Sequence, residues 1–306
     1  MKKVLVTGGA GFIGSHTVDL LLERGILVRV LDNLSAGNRD NLPGDDPGLE
    51  FLEGDIRSSG DVARAVEGVS HVLHLAAQVS VVNSVEDPPN SADHNIMGFV
   101  TVLDAARRAG VARFVYASSA AVYGTPERLP LDESAPLFPL SPYGLEKRVN
   151  EQYASLFHGH WGISTLGMRY FNVFGPRQDP SSPYAGVISL FVDRIRAGDP
   201  LTIFGDGGQT RDFIYVRDVA RANVAALGSG FEGACNVATG TTVNLLDVID
   251  ALGGVAGATP EISFLPPREG DIRDSSAVVA ALHRELDVRA ETGLAEGLGM
   301  LLDSTA

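Results

Sequence analysis

Cysteine is almost missing: Cys235 is the one example in 306 residues. A single thiol allows no internal disulfide and no cysteine-based metal site, so a disulfide scaffold and a zinc ribbon are both excluded. Cys235 reads as a small core hydrophobe. Long apolar runs are also lacking. The opening Met1-Lys2-Lys3-Val4-Leu5-Val6-Thr7 starts like a signal peptide, but the run stops at Gly8 and Gly9. It is too short for a signal core or a spanning helix, and the expectation is a cytoplasmic protein with no membrane partner. Positive charge is scarce. Against 38 Asp and Glu stand 24 Lys and Arg, a formal net charge of −14. Such a surface repels phosphate backbones and anionic lipids, so nucleic acid is a poor partner too. An anionic small molecule would need a local group of arginines or backbone N–H donors. There is no Gly/Ser linker, charge block, internal repeat or low-complexity tract.

The rest of the composition is that of an ordinary globular chain, with 44% hydrophobic and 20% charged residues. The length suits one or two closely joined domains. Val4–Thr7, Leu27–Leu31, His71–Leu75 and Phe114–Ala117 read as buried strands rich in Val and Leu. Helical patterns lie between them. Val18, Leu21 and Leu22 form one apolar stripe that Gly25 can cap, and a second helix is expected over about Asn95 to Ala109. Strand–helix alternation predicts an α/β fold with a parallel, doubly wound sheet over residues 1–168. From Arg169 onward Gly and Pro become frequent, so residues 169–306 are expected to form a smaller, interleaved α/β substrate domain, with segments near 212–240 returning to the first. One amphipathic helix is expected after about Asp287.

Gly8, Gly11 and Gly14 form a Gly-x-x-Gly-x-x-Gly run that follows a predicted strand and opens a helix. Glycines at that place permit a tight turn and close approach of a pyrophosphate to the helix N-terminus. Asp32 ends the second predicted strand, 18 residues beyond Gly14. A carboxylate there accepts from ribose hydroxyls and repels a 2′-phosphate, favouring NAD over NADP. Asp55-Ile56 follows another strand-like run; it can meet an adenine or be a solvated loop. No metal site is expected.

Ser141-Pro142-Tyr143-Gly144-Leu145-Glu146-Lys147 has the form of a helix start, with Ser141 as N-cap and Pro142 at the first position. Tyr143 and Lys147 then share one helix face. A phenol titrates near 10, and bringing it to about 7 takes roughly 4 kcal/mol. A lysine ammonium one turn away, the helix dipole and a positive nicotinamide all favour the phenolate. Most Tyr-x-x-x-Lys pairs are surface residues. This one gains weight from Ser118-Ser119, which follow a predicted strand and can share a substrate oxygen with the tyrosine.

These residues are found together in one family. Thr7-Gly8-Gly9-Ala10-Gly11-Phe12-Ile13-Gly14, Asp32-Asn33, Ala76-Ala77, Ser118-Ser119-Ala120-Ala121-Val122-Tyr123-Gly124 and the Tyr143/Lys147 pair resemble the extended short-chain dehydrogenase/reductases. Arg169 through Arg177, Gly205 through Phe213 and Arg268-Glu269-Gly270-Asp271 continue the match over almost the whole chain. Within that family the chain looks most like the UDP-hexose 4-epimerases. The resemblance implies a Rossmann-type fold and NAD held by Gly8, Gly11, Phe12, Ile13, Gly14, Asp32, Asn33, Asp55, Ile56, Ala76 and Ala77 together with Tyr143 and Lys147. It implies Ser119 as the catalytic serine with Ser118 in support. Ser80, Asn172, Gln178, Arg211, Arg268 and Asp271 would meet the UDP-sugar, the two arginines at its phosphates. Either arginine alone is as readily a surface ion pair. Ser275, seven residues after Arg268, would leave room beside the sugar 2-substituent. A homodimer through the helices near 95–109 and 142–157 is also implied.

Relatives that eliminate water or CO₂ usually carry an acid before Val-Tyr-Gly. Here Ala120 and Ala121 stand there and move no proton, which argues for oxidation and re-reduction at one carbon. A UDP-glucuronate 4-epimerase or another nucleotide-sugar oxidoreductase or dehydratase remains the alternative. A non-catalytic NAD-binding protein is the remote one.

Overall fold

The computed structural model describes residues 1–179, 186–257, 260–267 and 272–304. Its centre is a seven-stranded sheet. Strands β1 (Lys3–Thr7), β2 (Leu27–Asp32), β3 (Leu49–Glu53), β4 (His71–His74), β5 (Arg113–Ser119), β6 (Ser164–Tyr170) and β11 (Gly233–Val237) lie in the order β11-β6-β5-β4-β1-β2-β3. Every neighbouring pair is parallel. Parallel strands buried on both faces need continuous apolar runs, and Val4, Leu5 and Val6 are fully buried. Strand order reverses between β1 and β4, where a crevice opens at the strands' carboxyl ends.

Helices α1 (Phe12–Glu23) and α8 (Val216–Gly228) cover one face, where Val18 and Leu21 pack with Val219 and Leu227. On the other face, α2 (Ser59–Val66), α5 (Phe99–Arg108) and α6 (Pro142–Trp161) enclose Val62, Leu103 and Ala154. Two short helices, α3 (Val81–Glu86) and α4 (Pro88–Ala92), lead toward α5. Gly25 takes φ +68° after the last residue of α1, the left-handed stop expected of it. Cys235 is fully buried, and burial pushes its thiol up to about 12.

The later part of the chain builds three two-stranded pieces. Strand β7 (Asn172–Phe174) pairs in parallel with β10 (Phe213–Tyr215), and β8 (Leu201–Phe204) with β13 (Ile262–Leu265). Strand β9 (Thr210–Arg211) pairs antiparallel with β12 (Val243–Asn244). Helices α7 (Val187–Ala197), α9 (Leu245–Ala256) and α11 (Leu294–Asp303) close a third core around Phe174, Phe191, Leu252 and Leu298.

Two expected elements differ. The helix foreseen over Asn95–Ala109 is interrupted: residues Asp93–Gly98 form a π-helical turn before α5 begins at Phe99. A Cβ on Gly98 would stand 2.6 Å from Ile56 Cδ1, so glycine lets that turn close on Ile56. The one helix expected after about Asp287 is present but shorter. Helix α10 (Ala280–Leu286) ends where Asp287 turns left-handed at φ +53°, and α11 starts at Leu294. Among the described residues no helix is long and apolar enough to cross a membrane.

Candidate active site

A cavity of about 560 Å³ runs along the carboxyl ends of the strands. One end is built by the turn between β1 and α1. Gly8 has φ +69°, a conformation that disfavours any side chain. A Cβ on Gly14 would stand 2.1 Å from the Gly8 carbonyl oxygen, so only glycine lets helix and turn meet. The N-cap of α1 is Gly11, with no side-chain cap and no acidic residue in the first turn. Those first-turn N–H groups are donors that a diphosphate satisfies. Asp32 is 7% exposed on the cavity wall, where one carboxylate oxygen accepts from Ala10 N and the other from Leu34 N, each at 2.9 Å. That holds the carboxylate rigid, with lone pairs left for ribose hydroxyls. The far side is set by Thr7. Its hydroxyl is hydrogen-bonded to His74 Nδ1 at 2.8 Å and accepts from Ala76 N at 3.3 Å, fixing the Ala76-Ala77 edge. Burial, with Lys147 nearby, pulls the His74 imidazole down to about 3.

Helix α6 supplies the other end. Ser141 Oγ accepts from Gly144 N at 3.1 Å and Pro142 takes the first turn. The buried Ser84 hydroxyl accepts from Tyr143 N at 3.1 Å. Tyr143 and Lys147 both face the cavity, with Lys147 Nζ 5.6 Å from the tyrosine ring centroid. Ser119, at the end of β5, lines the cavity with Tyr143. Burial nevertheless pushes the phenol above its ordinary value, Ser119 opposes this, and the Glu146 charge adds to it. Lys147 is brought down to about 8 by burial, against the pull of Glu146. A positive charge bound beside the phenol would oppose the effect of burial.

The cavity gathers most of the expected residues. Gly8, Gly11, Phe12, Ile13, Gly14, Asp32, Asn33, Ile56, Ala76 and Ala77 line it, with Ser118, Ser119, Tyr143, Lys147, Asn172 and Gln178. Gln178 is held by Ser189, whose hydroxyl donates to Oε1 at 2.5 Å.

Other expected residues are placed differently. Asp55 lies off the cavity wall: Arg57 clamps its carboxylate at 2.8 Å, Asn33 donates to it at 3.1 Å, and its carboxyl sits far below the usual range. Ser80 is buried as the N-cap of α3, accepting from Asn83 N at 2.9 Å. Ser118 reaches the cavity, but its hydroxyl donates to Glu151 at 2.6 Å inside a buried ion pair with Arg169. Arg211 donates to the carbonyls of Thr210 and Arg273, both at 2.9 Å. Ser275 N bonds the Thr210 carbonyl at 3.2 Å. Arg268 and Asp271 lie outside the described residues.

Several wall residues were not foreseen. Ala36 and Gly37, behind Asp32, line the cavity, and a Cβ on Gly37 would meet Asp32 Oδ1 at 3.1 Å. A glycine close behind a strand-ending aspartate is a signal that could have found them. His94, Phe171 and Val187 also line it. Their positions depend on the π turn, the end of β6 and the start of α7, and no local pattern marks them. Among the described residues no group of three His, Cys, Asp or Glu side chains could hold a metal ion.

Residues 4–238 match the NAD dependent epimerase/dehydratase family. The chain belongs to that family. It is 40% identical over 306 residues to the UDP-glucose 4-epimerase of Mycolicibacterium smegmatis, covering 98% of this chain and 97% of that one. Among solved structures it is similar to the UDP-glucose 4-epimerase of Thermus thermophilus in complex with NAD, at TM-score 0.90 and 41% identity, with 98% of each chain covered. It is similar as well to the UDP-N-acetylglucosamine 4-epimerase of Methanobrevibacter ruminantium in complex with UDP-N-acetylmuramic acid. There the TM-score is 0.95 at 37% identity, covering 98% of this chain and 97% of that one. The family's dinucleotide cofactor fits the site, because uncapped helix donors, a rigid carboxylate and glycine-only backbone lie along one wall.

Proposed function

We propose that the protein is an NAD-dependent UDP-hexose 4-epimerase that interconverts UDP-glucose with UDP-galactose and also accepts the N-acetylated pair, UDP-N-acetylglucosamine and UDP-N-acetylgalactosamine. The observation that carries this reading is the convergence of Ser119, Tyr143 and Lys147 at one end of a cavity whose other end is the Gly8–Gly14 turn and Asp32. Likeness to epimerases named for UDP-glucose and for UDP-N-acetylglucosamine supports the substrate class.

Tyr143 takes the proton of the sugar 4-hydroxyl and returns it after the ring has presented its other face. Ser119 holds the same oxygen and relays the proton to the phenol. Lys147 stabilises the phenolate, as does the N-terminal end of α6. NAD, when bound, supplies the hydride acceptor for the sugar carbon and a positive charge beside the phenol. Ala120 and Ala121 give no acid or base for elimination, so one carbon is oxidised and re-reduced. Asn172, Arg211 and Arg268 contact the diphosphate and Asp271 the ribose. Gln178 and Ser275 border the sugar 2-substituent, and Ser80 meets the sugar.

In this reading residues 1–168, with the return segments near 212–240, hold NAD, and residues 169–306 mainly bind the nucleotide sugar. The chain forms a homodimer through α5 and α6; the exposed Leu145, Leu156 and Trp161 on α6 favour such a contact. Its acidic composition and lone buried thiol suit a cytoplasmic location. Incubation with each of the four UDP-sugars, followed by separation of the epimers, tests the activity. No epimer from any of them, with NAD bound, would refute it.

A further inference from the structure

A buried carboxylate sits between the two residues that carry the proton chemistry proposed above. Glu146 is 3% exposed on α6. Its Oε2 accepts from Ser91 Oγ at 2.9 Å and from Asn95 Nδ2 at 2.6 Å. Asn95 belongs to the π-helical turn, and its carboxamide also grips the backbone of Gln78. It accepts from Gln78 N at 2.9 Å and donates to the Gln78 carbonyl at 2.8 Å. Gln78 lies between Ala77 and Val79, both on the cavity wall. One chain of hydrogen bonds thus ties the second turn of α6 to the wall beside the sugar site. A π turn is suited to this, because its extra residue re-aims one side chain out of the helix register.

The charges nearby are few. Lys147 is 4% exposed and forms no ion pair among the described residues. Glu146 is its buried neighbour in sequence, Tyr143 shares its helix face, and His74 of β4, which burial keeps neutral, is near it. The other charged groups on elements packed against α6 have partners elsewhere. Asp93 pairs with Arg57, Asp104 with Arg107 and Arg108, and Arg169 with Glu151. His94 bonds the Asn90 carbonyl, Asp87 caps α4, and Arg113 donates to Ser164. Glu86 of α3 is exposed to solvent. A buried ammonium without a counter-charge loses its proton readily, and Glu146 is the charge placed to prevent that.

We propose that Glu146 is a positioning residue: through Ser91 and Asn95 it locks α6 to the cavity wall at Gln78, and it serves as the counter-charge of Lys147. The same negative charge disfavours the phenolate. This role rests on the epimerase reading only for its effect on turnover.

Glu146→Gln tests it, because the amide oxygen still accepts from Ser91 and Asn95 while the charge is gone. The Tyr143 phenolate is followed by its ultraviolet absorbance, as the difference from Tyr143→Phe in each background. The expected result is a phenol midpoint about one pH unit lower in Glu146→Gln, and a basic limb of the kcat profile moved about one unit toward acid as Lys147 loses its proton earlier. Coincident phenol titrations and pH profiles would overturn the proposal. If Glu146→Gln does not fold, Ser91→Ala decides: kcat lowered several-fold at unchanged KM supports the anchor, and wild-type kcat removes it. The phenol titration needs no substrate, so a protein that epimerises nothing would sink the epimerase reading while the titration still reports on Glu146.

Discussion

Replacing Glu151 by alanine attacks a buried ion pair directly behind the site. Both Glu151 oxygens accept from Arg169, at 2.9 and 2.7 Å, and one also accepts from Ser118 Oγ at 2.6 Å. The side chains are 5% and 13% exposed, so water screens little of the interaction. Without Glu151, Arg169 keeps only the Tyr123 hydroxyl at 2.8 Å and the Glu133 carbonyl at 3.0 Å, neither of them a charge. Breaking a buried pair by removing one partner destabilises by about 3–5 kcal/mol, and a stranded Ser118 hydroxyl adds about 1–3 kcal/mol if it finds no other acceptor. Since whole-protein stability is about 5–15 kcal/mol, Glu151→Ala removes a large share of it. Urea unfolding followed by the fluorescence of Trp161, the single tryptophan and the last residue of α6, gives the measurement. Glu151→Gln should lose less, because an acceptor stays in place. The double replacement Glu151→Leu with Arg169→Met should recover much of the loss, because no charge is left buried. A Glu151→Ala protein within about 1 kcal/mol of wild type would refute the reasoning, as would a double variant no more stable than the single one.

Three further predictions concern function. Tyr143→Phe should keep the fold and bind NAD while turnover falls about 10²–10⁴-fold, and near wild-type turnover would remove the tyrosine from its role. Wild type should bind NAD well ahead of NADP, and Asp32→Gly should narrow the gap; titration of both proteins with both cofactors checks it, and equal binding by wild type would contradict the reading of Asp32. Ser275→Tyr should retain UDP-glucose epimerisation and lose the N-acetylated pair, measured as kcat/KM on all four sugars. Unchanged use of the N-acetylated pair would rule out Ser275 as the residue that sets that room.

What could be read in the sequence was local. The three glycines, the strand-ending Asp32 and the Ser141-Pro142 start act through backbone conformation or a neighbour a few residues away, and each is where the spacing placed it. Strands buried on both faces announced themselves as apolar runs. Residues whose role depends on a distant partner were not legible. The hydroxyl of Ser118 is taken by Glu151, on a helix that begins more than twenty residues later, and Asp55 is taken by Arg57 and Asn33. The π turn gives no periodic signal, because one inserted residue changes the register without changing the apolar content. The paired strands of the later half are two to four residues long, too short for a period to show.

The sheet order has a consequence for synthesis. Strand β6 ends at Tyr170, but its outer neighbour β11 does not begin until Gly233. While residues 171–232 are being made, the backbone donors and acceptors along the free edge of β6 have no strand to pair with. A nascent chain at that stage has most of its first sheet and lacks its last strand, the condition in which an open edge meets other chains. Helix α8, which packs on α1, also arrives late, so one face of the early sheet waits for the same stretch of chain. Completion of the seven-stranded sheet is therefore tied to translation past residue 237, well into the later half of the protein.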